Sequence, residues 1–362
     1  MKTCLLLLAL MLGMRWDGRA EEPSPVSPSG PPLAGTEALR WEGDIASNLV
    51  AGVDRFLMRK LEEAPAHRDR FGRKDLSSVA AYEDAMAGER RRLAWILGAV
   101  EERVPGGSLE WVSSVMQPAL VASNAAVRVE AVRWRAFGDV HGEGLVVTPV
   151  SRKVTADVIA LPDAEFTPEQ WVGLDGGCAG LSVPVPVRLA AAGCRVVVPF
   201  LIDRTEGQSK VDWDGKRGAG LHNREFLHRA AFEMGRTLAG YEVLKVRALI
   251  DALRLEAPGR PVGVFGWGEG GRLALYTAAL DTRVAAVVVS GSFGPRERMW
   301  EEPLDRNLFG VLEHFGDAEL AGLVAPRALV VEPSLVRERR FTGRGGGAPG
   351  RIAVVSPEAA QA

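Results

Sequence analysis

The sequence predicts an α/β fold, with a mostly parallel central sheet flanked by helices and an N-terminal helical cap ahead of it. Three observations carry this expectation. From about residue 154 onward, short apolar runs alternate with stretches of helical periodicity, the order that builds parallel sheets with right-handed crossovers. The apolar runs are rich in Val and Ile and show no polar alternation, as strands buried on both faces do. The 362 residues are 47% hydrophobic and 25% charged, which leaves enough apolar side chains for a sizeable core.

Taken in order, the chain opens with a secretory pattern. Lys2 supplies a positive charge, residues 5–12 are almost purely apolar, and Gly18-Arg19-Ala20 puts small residues at −3 and −1 of a cut after Ala20. The apolar run is too short to span a bilayer, which takes about 20 residues. Residues 1–20 therefore read as a signal peptide, and the chain as secreted or periplasmic with no membrane attachment after cleavage. Residues 21–43 are rich in Pro, Ser and Gly and read as a flexible linker. Residues 44–105 are expected to form the helical cap. Asp44 caps a stripe at Ile45, Leu49, Val50, Val53, Phe56, Leu57 and Leu61. A second helix over 79–100 puts Tyr82, Met86, Leu93, Ile96, Leu97 and Val100 on one face. Both stripes read as packing surfaces, and the arginine run at 89–92 as a solvated helix face.

Residues 106–340 form the predicted α/β domain. Val127, Val129 and Ala131 alternate with Arg128 and Glu130, and residues 145–147 repeat the apolar run after a loop at 138–143 that holds His141. This pattern predicts an antiparallel hairpin. Buried strands follow at 154–161, 195–202, 261–265, 284–290 and 328–332, with the longest helix over 224–253. Residues 341–362 are Gly-rich, lack periodicity and are expected to be largely without regular structure. With a formal net charge of −2, no global field favours nucleic acid or an anionic membrane. Cys4 would leave with the signal. Cys178 and Cys194 are separated by a predicted helix, which favours two buried thiols over a bridge, and no cluster has metal-ligand spacing. No cofactor is expected.

The chemical signal lies at Val262-Gly-Val-Phe-Gly266-Trp267-Gly268-Glu269-Gly270-Gly271-Arg272, a strand, a glycine-rich turn and the start of a helix. A nucleophile elbow, G-x-S-x-G, needs small residues two before and two after its tip, here Gly266 and Gly270, and a helix start behind it. The N–H of Glu269 would donate to an oxyanion. The tip itself is Gly268 and has no side chain. The turn is predicted at the C-terminal edge of the sheet, with positive φ at Gly268. Gly266, Gly268 and Gly271 also satisfy the dinucleotide fingerprint G-x-G-x-x-G. However, strands precede the unit, and the next strand ends at Ser290-Gly291 where an acidic ribose ligand belongs.

These residues carry a resemblance. Gly266–Gly271 resembles the G-W-S-E-G-G elbow of esterase-like α/β-hydrolases, in the acetyl xylan esterase and dienelactone hydrolase branch. Ala325-Pro-Arg-Ala-Leu-Val-Val-Glu332 resembles the A-P-R-x-L strand that follows it there. Asn307-Leu-Phe-Gly and Phe315-Gly-Asp-Ala-Glu319 resemble the segment between the two. Asn223-Arg-Glu-Phe and Phe232-Glu-Met-Gly-Arg236 resemble a helical insertion of large exported bacterial members. The resemblance covers about 109–334. It implies an α/β-hydrolase fold, a carboxylic- or acetyl-ester hydrolase lineage, and a small-molecule or carbohydrate ester as ligand. It also implies a serine at position 268, an acid for which Glu332 is the candidate, and a His after the following strand. This chain has Gly268 instead, and none of its histidines follows His314.

Ser290 and Ser292 follow a parallel strand and are the alternative nucleophiles, although strand-end turn residues are the simpler reading. His222 and His228 flank Arg224 and Glu225 near the expected cleft mouth, with helix-surface packing as their simpler reading. His314 is expected on a surface helix. Three readings stay open: an inactive or impaired ester hydrolase homologue, an active hydrolase with an unrecognised nucleophile or a chain cut before its His, and a dinucleotide binder using Gly266, Gly268 and Gly271.

Overall fold

The computed structural model describes residues 34–37, 42–68, 75–175, 184–206, 212–213, 216–217, 221–333, 336, 338–343, 347–356, 358 and 360. The expected signal segment, most of the linker, Cys4 and Cys178 lie outside the described residues. Two compact units divide at Phe56 and Leu57. In the first, Asp44 accepts from the Ser47 N–H at 2.8 Å and caps helix α1, Ile45–Arg68, which runs on into the second unit. Ile45, Leu49, Val50, Val53 and Phe56, expected to pack, are exposed.

In the second unit, α2 (Val79–Leu97) starts at Ser78, whose hydroxyl accepts from the Ala81 N–H, and ends at Gly98. Leu93 and Leu97 are fully buried in the main core. Arg90, in the run read as solvated, is buried as well. It donates to the carbonyls of Glu83 and Leu323 and so ties α2 to a helix far along the chain. Short strands β1 (Glu110–Trp111) and β2 (Leu120–Ser123) flank the long hairpin β3 (Val127–Phe137) and β4 (Val140–Pro149). The predicted six-residue loop shrinks to Gly138 and Asp139, because the ladder extends to Phe137↔Val140, and His141 lies in β4.

Strand β5 (Ala156–Leu161) leads to α3 (Pro168–Trp171) and α4 (Val185–Ala191), and then to β6 (Cys194–Pro199). A small pair, β7 (Asp212–Trp213) and β8 (Lys216–Arg217), precedes α5 (Asn223–Glu233) and α6 (Leu238–Glu256). The single helix expected over 224–253 is thus two. Gly235 turns the chain with φ 67°, and Thr237 starts the second helix by accepting from the Gly240 N–H at 2.9 Å. Next come β9 (Val262–Trp267), α7 (Glu269–Leu280), β10 (Val284–Ser290), α8 (Asp317–Val324) and β11 (Ala328–Glu332). The stretch expected to lack regular structure contains an antiparallel pair, β12 (Arg339–Thr342) and β13 (Pro349–Ile352).

The main sheet runs β1-β3-β4-β6-β5-β9-β10-β11, with β2 beside β3. Pairings from β6 through β11 are parallel, and those among β1 to β4 and from β4 to β6 are antiparallel. One core cluster joins the sheet to α2, α6, α7 and α8. A second, with Trp171, Ala190, Val196 and Val198, fills the other face. Among the described residues, no helix is long and apolar enough to cross a membrane.

Candidate active site

Four parallel strands end at one edge of the sheet, and their register brings the candidate residues together. Leu161 pairs with Gly266, Trp267 with Ser290, and Ser290 with Glu332. Between β9 and α7 the chain reverses at Gly268, with φ 59° and ψ −119°, a conformation that costs any residue with a Cβ. The Gly268 N–H donates to the Ser290 carbonyl at 3.0 Å. A Cβ on Gly266 would lie 2.0 Å from the Gly270 carbonyl oxygen, and one on Gly270 would lie 2.3 Å from that of Leu161. Both glycines are therefore required by the turn itself. The strand-to-helix turn expected at Gly268, with positive φ, is the geometry observed.

The tip is covered by a carboxylate. Asp163, two residues beyond the end of β5, accepts the Glu269 N–H at Oδ2, 2.8 Å away. Its Oδ1 accepts from the Glu165 N–H at 3.1 Å. A Cβ built on Gly268 would lie 2.1 Å from Asp163 Oδ2. Burial pushes the Asp163 carboxyl above its ordinary pKa, opposed first by the Glu269 N–H and then by Arg204. The loop beyond Asp163 is held by aromatic contacts: Trp171 stacks on Trp267 at 5.4 Å, and Phe166 meets Trp267 edge-on at 5.4 Å.

Behind the tip, the Glu269 side chain enters a cage of buried charge. Arg204 Nη2 and Arg306 Nε each lie 3.0 Å from Glu269 Oε2. Arg224 makes two 2.9 Å bonds to Glu242 and donates through Nε to Asp305 at 2.8 Å. Burial alone would raise the Glu269 pKa, but Arg272, Arg306, Arg224 and Arg204 outweigh it and hold the carboxyl well below the ordinary range. Asp305 follows the same pattern: burial is outweighed by Arg204 and Arg224, and its pKa falls to about 2.

Among the described residues, the side chains of the other candidates make no hydrogen bond to the tip. Glu332 is exposed at the end of β11, and among the described residues no ion pair involves it. Ser290 and Ser292 are buried, and the Ser292 hydroxyl lies 2.4 Å from where a Gly271 Cβ would be. His222 and His228, read as surface packing, are both buried. His222 caps α5, its Nδ1 accepting from the Glu225 N–H at 3.1 Å. Burial lowers both imidazole pKa values, with Asp305 the main opposing influence. Among the described residues, neither ring hydrogen-bonds to Gly268, Glu269 or Asp163. His314 is half-buried at the end of a 3-10 turn, Val311–Glu313. For Gly266 and Gly271, close chain contacts supply a reason to be glycine that does not involve phosphate. Cys194 is a free thiol. Among the described residues, no group of three or more His, Cys, Asp or Glu could hold a metal ion.

Sequence reasoning missed Asp163 and the cage. The signal for Asp163 was its place just after a parallel strand, at the edge where such sheets bind ligands. The cage had no local signal, since its members lie between residues 204 and 306.

No family model matches this chain, and no curated protein matches it in sequence. Among solved structures, a Bacteroides fragilis protein described as an acetyl xylan esterase superposes with a TM-score of 0.57 at 14% identity, over 83% of this chain and 78% of that one. A glucuronoyl esterase from Solibacter usitatus gives 0.42 at 16% identity, over 71% and 75%. Acetyl xylan esterase 1 from Thermoanaerobacterium sp. gives 0.40 at 16%, over 69% and 87%. The last two superpose too loosely to add weight. The first, with the sheet order and elbow, makes the fold that of the α/β-hydrolases.

Proposed function

We propose that this chain is an exported protein of carboxylic-ester hydrolase lineage that no longer performs serine-based ester hydrolysis. One observation carries the reading. The elbow is built in every respect except its tip, where Gly268 brings no nucleophile and Asp163 occupies the Glu269 N–H that would receive an oxyanion.

The missing parts are decisive in size. In a well-studied serine hydrolase, loss of nucleophile or base costs roughly 10⁶ in turnover. Here the serine is absent, and the buried imidazoles of His222 and His228 are committed elsewhere or lie off the tip. Ligand binding is a separate matter. Phe166 and Trp267 form an apolar wall beside the turn, suited to the acyl or sugar part of an ester such as those named for the structural neighbours.

The test is labelling with a fluorophosphonate, which reacts with activated serines. The native protein is expected to show no adduct by intact mass above its heat-denatured control. A stoichiometric adduct would overturn the proposal, and its peptide would name the nucleophile, with Ser290 and Ser292 the first positions to check.

A further inference from the structure

Asp163 has no part in the elbow's expected chemistry, yet it occupies the elbow's most reactive point. Its Oδ2 accepts the Glu269 N–H at 2.8 Å, and a Cβ on Gly268 would lie 2.1 Å from Oδ2 and 2.9 Å from Cγ. The carboxylate therefore stands where a tip side chain would begin. The donor is the first N–H of a twelve-residue helix, whose positive end favours an anion. Arg204 and Arg306 attract the same carboxylate, against burial and the repulsion of the Glu269 carboxylate. The Arg204 side chain is only 4% exposed, and among the described residues its Nε and Nη1 have no hydrogen-bond partner. Through Nη2 this buried cation bonds the side chain of Glu269, the residue whose N–H holds the Asp163 carboxylate.

We propose that the elbow retains an anion site of carboxylate type and that the chain keeps it closed with Asp163 as an internal ligand. The site is self-inhibited rather than merely lacking a nucleophile. This rests on the reading of Gly268 as a vacated tip. An internal ligand has an effective concentration in the millimolar range or above, so a free carboxylate must outcompete the tether. The loop that carries Asp163 is also fastened from outside. Glu165 pairs with Arg339 of β12. The same hairpin sets Phe341 5.2 Å from the His222 ring, and the Ala348 N–H donates to Glu225 at 2.9 Å. The C-terminal hairpin is thus tied both to this loop and to the start of α5.

The experiment compares thermal unfolding of the full chain as wild type, Asp163→Ala and Asp163→Asn, titrated with sodium formate and sodium acetate against sodium chloride at equal ionic strength. Asp163→Ala removes the internal ligand and leaves its space. Formate is expected to raise its Tm saturably by a few degrees over chloride, with wild type and Asp163→Asn unmoved. A formate response equal in Asp163→Ala and wild type, or absent from both, overturns the proposal. If Asp163→Ala does not fold, Gly268→Ala is measured in wild type and in Asp163→Ser. A larger fall in the denaturant midpoint in wild type supports a carboxylate seated on the tip, and equal falls overturn it. A fluorophosphonate adduct on wild type would instead defeat the vacated-tip reading, so the two failures are distinguishable.

Discussion

The two sides of a single peptide, Gly268–Glu269, have been treated very differently. Behind it, the Glu269 side chain sits in a cage of at least four arginines and the carboxylates of Glu242 and Asp305, all buried, with several bonds below 3.1 Å. In front, the tip has no side chain and is covered by the half-buried Asp163 through one hydrogen bond. The contrast separates scaffold from chemistry. A buried charge network cannot lose one member without leaving another uncompensated. A catalytic tip can lose its hydroxyl at no cost to folding, and glycine even relieves the strain of positive φ.

The cage should therefore give the largest effects. Arg224→Ala strands Glu242 and Asp305 and is expected to lose about 3–5 kcal/mol of stability, read as the midpoint shift in urea. A loss under about 1 kcal/mol would erase the contrast between the two sides.

Gly268→Ser comes next. It places a Cβ in a strained conformation and 2.1 Å from Asp163 Oδ2. The expected loss is on the order of 1–3 kcal/mol, and most of the contact part should vanish in the Gly268→Ser/Asp163→Ala double variant. Equal losses in both backgrounds would mean that Asp163 lies elsewhere.

Acid should act on the two sides with opposite sign. Glu269 and Asp305 have depressed pKa values, so the stability they contribute is present above the unfolded value near 4 and is lost as pH falls below it, for Asp305 toward about 2. His222 and His228, also depressed, add a loss as pH drops below 6.5, because the unfolded chain takes up those protons first. Asp163 is raised, so its folded form gains relative stability on protonation. Unfolding free energies measured in urea from pH 8 to pH 3 should decline overall, and more steeply in Asp163→Asn than in wild type. Parallel curves would contradict the raised value.

The smallest effect is Asp163→Asn itself at neutral pH. The amide keeps the shape and the acceptor for the Glu269 N–H, so the change should stay within about 1 kcal/mol. The matching exchange behind the tip, Glu269→Gln, removes a charge from among four guanidiniums and should cost several times more.

Much of this architecture was legible in the sequence, for physical reasons. Strands 284–290 and 328–332 appear at their predicted bounds because each is a short apolar run closed by Gly or Pro, although β11, expected to be buried, is the edge strand and alternates between exposed and half-buried residues. The elbow was legible because a sharp strand-to-helix reversal admits only small residues at 266, 268 and 270. Where the reading failed, the cause was tertiary. The break at Gly235 hides within a helical periodicity that continues in register on both sides. The burial of Arg90 depends on the Leu323 carbonyl, 233 residues away. His222 looked like a surface residue because its partners, Asp305 and Phe341, come from distant segments. The hairpin at 339–352 has little apolar pattern, and its partners Glu165 and Glu225 lie far back in the chain.

The most direct test of the central claim, an intact scaffold around a vacated tip, is p-nitrophenyl acetate turnover by Gly268→Ser/Asp163→Ala. This variant restores the hydroxyl and removes the carboxylate that blocks it. A serine still needs a base to accept its proton, and among the described residues neither His222 nor His228 is bonded to the tip. The variant is expected to stay within a few-fold of the parent protein. Turnover far above the parent, abolished by adding His222→Ala or His228→Ala, would contradict the account and show that a working base had been in place all along.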